Sequence, residues 1–274
     1  MIEIKTKSKG AELTSIKLNG EEKLHNGEEF WNRHSPILFP IVGKLKENKT
    51  EINGKTYEMT QHGFARDLEF EEVGNHQYSL KSNEETMKKF PFNFELNVSY
   101  EVQENKVITN YEVINKDDKE MLFGLGGHPA YCLDYTNENY DICFEKYEDE
   151  IKVVQLKDGL ISNEKIEKEK YINNNRVHLT KNIFENDAII FKDLVSSKVV
   201  VKNNQTNKTI LEFDFEGFPY LALWSKKGAP FVCIEPWFNT ADKVDSNGIF
   251  EEKEDLIELK PKQKFKCKYQ VEFF

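Results

Sequence analysis

The sequence predicts an all-β protein whose mostly antiparallel strands pack as one large sandwich. Apolar and polar residues alternate in segments from one end of the 274-residue chain to the other, and helical patterns are sparse. Twenty Phe and eleven Tyr also favour strands, while 38% apolar and 31% charged residues are typical of a globular protein. We therefore expect a single domain spanning residues 1–274, with function on a concave sheet face or on the connecting loops.

Four segments predict individual strands. Residues 51–57 contain an Asn-Gly pair between alternating residues and predict a hairpin. Residues 107–114 and 209–215 alternate in the same way. Residues 264–274 form a half-buried strand in this scheme. The apolar face of that last strand would carry Phe265, Cys267, Tyr269, Val271 and Phe273.

Two short segments favour helices. Residues 83–89 are expected to form a helix that is capped by Asn83 and ends before Pro91. Residues 182–192 are expected to form a second helix. Neither could organise a βαβ fold, and no repeat or Pro-rich linker divides the chain.

Charge and hydropathy exclude two classes of partner. The net charge of −10 is spread along the chain without a basic stripe, so we expect no nucleic-acid partner. The N-terminus lacks the apolar core of a signal peptide, and no stretch approaches the roughly 20 apolar residues that span a bilayer. We expect a cytoplasmic protein with no membrane partner, and the sequence leaves the oligomeric state open.

Cysteine and histidine spacing gives no sign of a metal or a cofactor. Cys132, Cys143, Cys233 and Cys267 form no Cys-x-x-Cys pair, so we expect buried free thiols. The six His residues are dispersed, and neither His-Glu-x-x-His nor Gly-x-Ser-x-Gly occurs. We therefore predict no metal site and no cofactor.

Glu235 is the first candidate for chemistry, because residues 231–238 are otherwise apolar. A buried carboxylate must be paired, have a raised pKa or open onto a cavity. The alternative is a glutamate that faces solvent at the end of a strand. Trp237 would share the strand face of Glu235 if the strand continues through Pro236, and its ring suits the apolar face of a sugar.

His128 is the second candidate, within the Gly-rich residues 124–131. Glycines permit close approach of the backbone to a ligand, and Pro129 favours an extended backbone at His128. An imidazole is well suited to proton transfer near neutral pH. The alternative is a structural histidine in a Gly-rich turn.

Two further places carry polar groups next to apolar segments. His62 and Arg66 lie four residues apart around a turn and could donate hydrogen bonds to hydroxyls or to a phosphate. Asp187 leads into an apolar run. A surface turn for the first pair and a capping or turn role for Asp187 are the alternatives.

Taken together and in order, these segments resemble the aldose 1-epimerase, or galactose mutarotase, superfamily. The resemblance is strongest to its LacX-like branch near the hexose-6-phosphate mutarotases. It implies a β-supersandwich with the active-site cleft on a concave sheet face. The matching stretches are residues 36–43, 62–66, 127–130, 187–191 and 233–237.

The resemblance also implies roles for individual residues. Glu235 resembles the general base of the family and His128 its general acid. Arg33 resembles an arginine of the phosphosugar branch, although its spacing to the following Pro-x-x-Phe-Pro stretch differs by one residue. The residues implied to hold the sugar are His62, Arg66 and Asp187.

Two departures bear on the choice of substrate. Lys44 stands where many relatives have Arg, and Asn239 stands where a Gly commonly occurs. Lys44, Arg66 and Arg33 could neutralise a 6-phosphate, but arginine also binds plain hydroxyls. The substrate class therefore stays open between an aldohexose and a hexose 6-phosphate.

Anomer exchange requires one proton to leave O1 and another to reach the ring oxygen, so one base and one acid suffice. We expect Glu235 to be ionised and His128 to be protonated in the resting enzyme. One alternative is a sugar sensor or lectin-like domain that uses the same cleft without turnover. Another is a glycoside hydrolase or lyase with Glu235 and Asp187 as its two carboxylates, which would leave His128 without a role.

Overall fold

The computed structural model describes residues 1–274 and has a mostly antiparallel all-β architecture, as predicted. Helical structure is limited to α1 (Glu84–Met87) and four short 3₁₀ turns (Lys46–Asn48, Ala65–Asp67, Lys168–Lys170 and Phe250–Glu252). The strands are β1 (Ile2–Thr6), β2 (Leu13–Leu18), β3 (Glu21–Glu22), β4 (Ile37–Leu38), β5 (Lys49–Ile52), β6 (Lys55–Glu58), β7 (Glu71–Gly74), β8 (Gln77–Lys81), β9 (Phe94–Gln103), β10 (Lys106–Asn115), β11 (Met121–Phe123), β12 (Gly126–Gly127), β13 (Ala130–Cys132), β14 (Tyr140–Phe144), β15 (Lys152–Lys157), β16 (Leu160–Ile161), β17 (Arg176–His178), β18 (Ile189–Lys192), β19 (Lys198–Asn203), β20 (Lys208–Asp214), β21 (Tyr220–Trp224), β22 (Phe231–Trp237), β23 (Ile257–Leu259) and β24 (Lys264–Phe273).

Two large sheets form the body of the fold. A nine-stranded sheet has the order β17-β14-β19-β20-β24-β10-β9-β8-β7. An eight-stranded sheet has the order β16-β15-β18-β21-β22-β12-β4, and β13 also pairs with β22. The pairs β5-β6 and β11-β23 and the three-stranded sheet β1-β2-β3 complete the fold. In the eight-stranded sheet β22 is therefore a central strand, with β21 on one side and β12 and β13 on the other.

The main core lies between the two large sheets. Alternate residues of the nine-stranded sheet, such as Phe213, join alternate residues of the eight-stranded sheet, such as Leu221 and Ile234, in one cluster of 57 buried residues. Because successive strand residues point to opposite faces, Glu235 and Trp237 must point away from this core. A second, smaller cluster that includes Trp237 covers that outer face.

The strand predictions are confirmed. The predicted hairpin is β5-β6, with the left-handed backbone at Asn53 (φ 50°) and Gly54 (φ 74°) that an Asn-Gly hairpin turn needs. β10 and β20 cover the segments predicted from alternation, and β24 forms the last strand. The predicted apolar face of β24 becomes progressively buried toward Phe273.

One of the two helix predictions is wrong. α1 forms as predicted, because the Asn83 side chain accepts hydrogen bonds from the amides of Glu85 and Thr86 at 2.9 and 3.0 Å. Residues 182–192 instead form turns followed by β18, which pairs with β15 and β21. The apolar residues of β18 are buried on both sheet faces, and that burial outweighs the local helix signal. No helix in the structure has the length and hydropathy needed to cross a membrane.

The prediction of buried free thiols holds only in part. All four cysteines are free, and Cys233 is fully buried within β22. Cys143 and Cys267 are half-buried. Cys132 is exposed, contrary to expectation, since it is the last residue of the short strand β13 and leads out of the sheet.

Candidate active site

A small cavity opens on the outer face of the eight-stranded sheet. Its volume is about 270 Å³, just below the range of about 300–1,000 Å³ that drug-sized ligands occupy. Such a volume suits a monosaccharide. The sequence predicts seven candidate site residues. Six of them line this cavity, namely His62, Arg66, His128, Asp187, Glu235 and Trp237. Arg33 is the exception and lies outside the lining.

A larger groove of about 750 Å³ lies on the nine-stranded sheet, away from these residues. Its lining contains no histidine. Its charged groups bind one another, as Glu112 does with Lys266 at 3.0 Å. The smaller cavity is therefore the better candidate for chemistry, because of the two only it brings together carboxylates, imidazoles and indole rings.

Glu235 and His128 face each other across neighbouring strands. β12 pairs with β22 at Gly126, and β13 pairs with it at Ala130. His128 lies midway between these two positions, so the same register places it opposite Glu235. His128 Nε2 is 3.3 Å from Glu235 Oε2, yet this oxygen makes no hydrogen bond. The two groups are close enough to share one substrate, and their alignment leaves both free to bind it.

Burial dominates the protonation of this pair. It raises the pKa of Glu235 well above its usual value. Burial also lowers the pKa of His128 to about 3, with a further contribution from Arg66. Both shifts favour the uncharged forms. The resting cleft thus favours a carboxylic acid and a neutral imidazole. The expected ion pair is replaced by an uncharged pair that contains the same single proton.

His62 is fixed as a neutral hydrogen-bond donor. The amide of Gly43 donates to His62 Nδ1 at 3.0 Å, so the ring proton resides on Nε2. Burial lowers the pKa of His62 well below its usual value, which keeps the ring uncharged. His62 and Gly63 both have left-handed backbones (φ 67° and 72°), and a Cβ on Gly63 would lie 2.2 Å from the carbonyl oxygen of Phe39. Only glycine fits that close turn.

Arg66 presents a guanidinium to the cavity from the 3₁₀ turn Ala65–Asp67. Its Nη2 donates to the carbonyl of Gln61 at 2.6 Å, and its buried Nε has no partner. Burial lowers the pKa of Arg66 to about 10, and the nearby Arg33 adds to this effect, so the group stays charged at neutral pH. Arg33 instead donates to Asp67 at 2.8 Å, and the same carboxylate lies 3.8 Å from Arg66 Nε. Two guanidinium groups thus share one carboxylate beside the cavity.

Asp187 lines the cavity, and Lys44 lies beside it behind Gly159. Asp187 is exposed, with a left-handed backbone (φ 78°), and its carboxylate accepts from the amide of Ala188 at 2.8 Å. Lys44 does not line the cavity; its Nζ donates to the carbonyl of Asp158 at 3.1 Å. Lys44 therefore holds the β15-β16 turn, whose Gly159 reaches the cavity.

All three tryptophans of the chain line this cavity. The ring of Trp31 lies 4.8 Å from that of His128 with 32° between their planes, and Trp224 approaches the same imidazole edge-on at 5.7 Å. The indole nitrogen of Trp237 is buried without a partner. Sequence reasoning missed Trp31 and Trp224. The available signal was the scarcity of tryptophan, since each of only three indole rings is a candidate for sugar stacking.

The Gly-rich segment serves packing and not approach to a ligand, contrary to expectation. A Cβ on Gly126 would lie 2.7 Å from the ring of Trp237, and one on Gly127 would lie 2.7 Å from the ring of Tyr269. Asn239 is fully buried, and a Cβ on Gly124 would likewise collide with its side chain. These glycines let the segment that carries His128 lie close to β22.

A thiol also lies beside the pair. One ligand atom each from His128, Cys233 and Glu235 all lie within 4.8 Å of one another, and the three residues are buried. Sequence spacing could not reveal this cluster, since His128 reaches it from the segment between β12 and β13 and the others from β22.

Comparisons with known proteins agree with this architecture. The family model described as aldose 1-epimerase matches residues 2–257. Protein LacX, chromosomal, of Lactococcus lactis subsp. lactis is 30% identical over 287 residues, which covers 98% of this chain and 95% of the relative.

Two solved structures are similar over the whole chain. A galactose mutarotase related enzyme from Lactobacillus acidophilus has a TM-score of 0.88 and 34% identity, with 100% of this chain and 95% of that chain covered. A galactose mutarotase-like protein from Lactobacillus casei has a TM-score of 0.90 and 29% identity, with 100% and 97% covered. The fold is therefore the galactose mutarotase-like β-sandwich.

Proposed function

The chain belongs to the aldose 1-epimerase family, and we propose that it is a cofactor-independent mutarotase that interconverts the α and β anomers of an aldohexose or a hexose 6-phosphate. The observation that supports this most is the buried pair of Glu235 and His128, whose reactive atoms lie 3.3 Å apart in a cavity of monosaccharide size. An acid and a base at this spacing can reach two oxygens bonded to one carbon.

The reaction needs two concerted proton transfers. One group removes the O1 proton while the other protonates the ring oxygen, so the bond between C1 and the ring oxygen breaks and a free aldehyde forms. Rotation about C1–C2 presents the other carbonyl face, and reversed transfers close the ring. In the roles that the family implies, Glu235 accepts the first proton and His128 donates the second.

The protonation of the pair is compatible with these roles. An uncharged pair and an ion pair contain the same single proton, so moving it between Glu235 and His128 converts one state into the other. A sugar hydroxyl that donates a hydrogen bond to the Glu235 carboxylate favours its ionised form. Each transfer group should contribute a factor of about 10²–10⁴ to the rate.

The remaining lining groups suit a sugar ring. His62 Nε2 and the unpartnered Nε of Arg66 can donate to hydroxyls, and the carboxylate of Asp187 can accept from them. Trp237 offers a ring face and a free indole donor. A 6-phosphate would meet the two guanidinium groups of Arg66 and Arg33, which are only partly neutralised by Asp67.

The proposal is tested by anomer exchange of glucose, galactose and their 6-phosphates, measured by NMR against the spontaneous rate. Glu235→Gln and His128→Asn should each lower the catalysed rate by about 10²–10⁴-fold. Glu101→Gln, an exposed carboxylate on the nine-stranded sheet, is the control. Wild-type rates in both site variants on the best substrate would refute the assignment.

A non-catalytic sugar sensor is the second candidate, and the three tryptophans around the cavity favour it because stacking is what a binding site needs. It predicts saturable sugar binding in which the protein leaves the anomer exchange rate at its spontaneous value. Binding measured together with exchange at the same pH separates the two functions.

A further inference from the structure

Cys233 lies next to the proton-transfer pair but has no part in the mechanism above. It precedes Glu235 by two residues on β22, so both side chains point to the same face of the sheet. Its Sγ, an oxygen of Glu235 and a ring nitrogen of His128 lie within 4.8 Å of one another. Their exposed fractions are 0%, 1% and 7%.

We propose that Cys233, Glu235 and His128 form a binding site for a thiophilic divalent cation of the Zn²⁺ class, and that the bound cation blocks anomer exchange. The blocking part rests on the proposed mutarotase function. The binding part does not, since it depends only on these three side chains.

The spacing of the ligand atoms agrees with tetrahedral zinc. Bonds of about 2.0–2.2 Å from zinc to nitrogen and to oxygen place those two atoms about 3.3–3.5 Å apart at the tetrahedral angle. His128 Nε2 and Glu235 Oε2 are 3.3 Å apart. A zinc–sulfur bond of about 2.3 Å requires about 3.6 Å from sulfur to nitrogen. Because no ligand pair exceeds 4.8 Å, the thiol needs to move by little more than about 1 Å.

Charge and hydrogen bonding also suit a cation. Glu235 Oε2 is a buried oxygen without a hydrogen-bond partner, which a metal ion would satisfy. One thiolate, one carboxylate and one neutral imidazole balance a 2+ charge in a buried site. The thiol proton and the single proton of the Glu235–His128 pair pass to solvent on coordination.

The fourth ligand position would face the cavity, because His128 and Glu235 both line it. A water molecule or a sugar hydroxyl can occupy it. With zinc bound, His128 Nε2 and Glu235 Oε2 are both held by the metal, so neither atom can exchange a proton with the sugar. The cation would therefore inhibit by occupying both transfer groups at once.

The experiment titrates the full chain, first stripped with a chelator, with Co²⁺ and with Zn²⁺. Thiolate-to-cobalt absorbance and competition with a chromophoric chelator report binding, and NMR reports anomer exchange. Cys233→Ala is compared with Cys267→Ala, which removes a half-buried thiol from β24 in the other sheet. Each variant is scored against its own rate without metal.

Wild type and Cys267→Ala should bind one metal ion per chain with a thiolate band and lose exchange as the site fills. Cys233→Ala should lose the band and bind at least about 100-fold more weakly, because even groups that only support a ligand contribute about 10- to 100-fold. Equal zinc affinity and equal inhibition in Cys233→Ala would overturn the proposal. A thiolate band from Cys233 in a chain without any catalysed exchange would uphold the binding site and refute the mutarotase function instead.

Discussion

The indole of Trp31 covers the imidazole of His128, with ring centroids 4.8 Å apart and 32° between the ring planes. The contact joins two parts of the chain that lie far apart in sequence. Trp31 precedes a segment whose backbone amides at His34 and Ser35 donate to the buried carboxylate of Glu12 at 2.8 and 3.1 Å. The environment of the His128 imidazole, the proton donor in the proposed function, therefore depends on a loop outside the sheet.

Removing this cover should change the acidity of His128. Burial is the largest cause of its low pKa, so Trp31→Ala, which admits water, should raise the pKa of His128 from about 3 toward its ordinary value. The acid limb of kcat/KM should then move to higher pH. Trp31→Phe keeps an apolar ring over the imidazole and is the matched control. An unchanged acid limb in Trp31→Ala would contradict this role.

The wild-type pH profile should have a broad plateau around neutrality. On the acid side, activity should be lost only near pH 3, where protonation of His128 adds a second proton to the Glu235–His128 pair. On the alkaline side, activity falls when Glu235, whose pKa burial raises, gives up the single shared proton. Measured kcat/KM with a sugar that does not titrate checks this. A maximum confined to a narrow range near pH 6.5 would instead indicate an exposed histidine.

Glu12 should contribute stability that depends on pH in a defined window. Burial alone would raise the pKa of Glu12, but hydrogen bonds from His34 and Lys7 outweigh it and hold the value at about 2, below the usual 4.5. Its contribution is complete above pH 4.5 and is lost as the pH falls toward 2. Glu12→Gln should lower the free energy of unfolding by up to about 3 kcal/mol at pH 7.

Chemical denaturation of wild type and Glu12→Gln at several pH values measures this difference, and Glu101→Gln serves as the exposed control. The gap between wild type and Glu12→Gln should shrink steadily below pH 4.5. A gap that is the same at pH 7 and pH 3 would show that the carboxylate charge plays no part.

Two variants of Asp187 should separate the effect of its backbone strain on stability from the effect of its carboxylate on sugar binding. Its left-handed backbone (φ 78°) favours glycine. Asp187→Gly should therefore leave the folded state as stable as wild type or more so, while the lost carboxylate raises KM for the sugar. Asp187→Ala should raise KM similarly and also lower stability by about 1 kcal/mol. Thermal unfolding together with saturation kinetics tests both, and equal stability of the two variants would argue against the strain.

The shared carboxylate of Asp67 should set the preference for a phosphorylated sugar. Asp67→Asn leaves Arg33 and Arg66 without their neutralising partner, so the positive potential beside the cavity increases. Partly exposed ion pairs are worth about 0.2–1 kcal/mol, so KM for a hexose 6-phosphate should fall by up to about fivefold. KM for the unphosphorylated hexose should stay the same. An equal change for both sugars would show that no phosphate approaches these arginines.

Much of the fold was predictable because strand alternation is a local property of the sequence. The segments that became β10, β20 and β24 were each identifiable from their own residues. The segment at 182–192 was not, since the preference of β18 comes from strands that pack against it on both sides. The local pattern of apolar and polar residues carries no information about burial by distant parts of the chain.

The candidate site shows the same division. The order of the motifs identified Glu235 and His128 as candidates, and both line one cavity. Strand pairing sets the register of Glu235 and His128 and brings Cys233 close to them. Loop placement puts the ring of Trp31 over His128. Neither can be read from the sequence. The preference of the pair for its uncharged form is likewise a consequence of burial that becomes visible only in three dimensions.

The cross-strand register of Glu235 and His128 has a consequence for how such a protein can diverge. Their separation is a property of strand spacing, so it is inherited with the sheet and tolerates changes elsewhere. Arg66, Asp187 and Trp31 all come from turns and loops around the rim. Mutation at the rim can therefore change the side chains that surround the cavity while the distance between His128 and Glu235 stays constant.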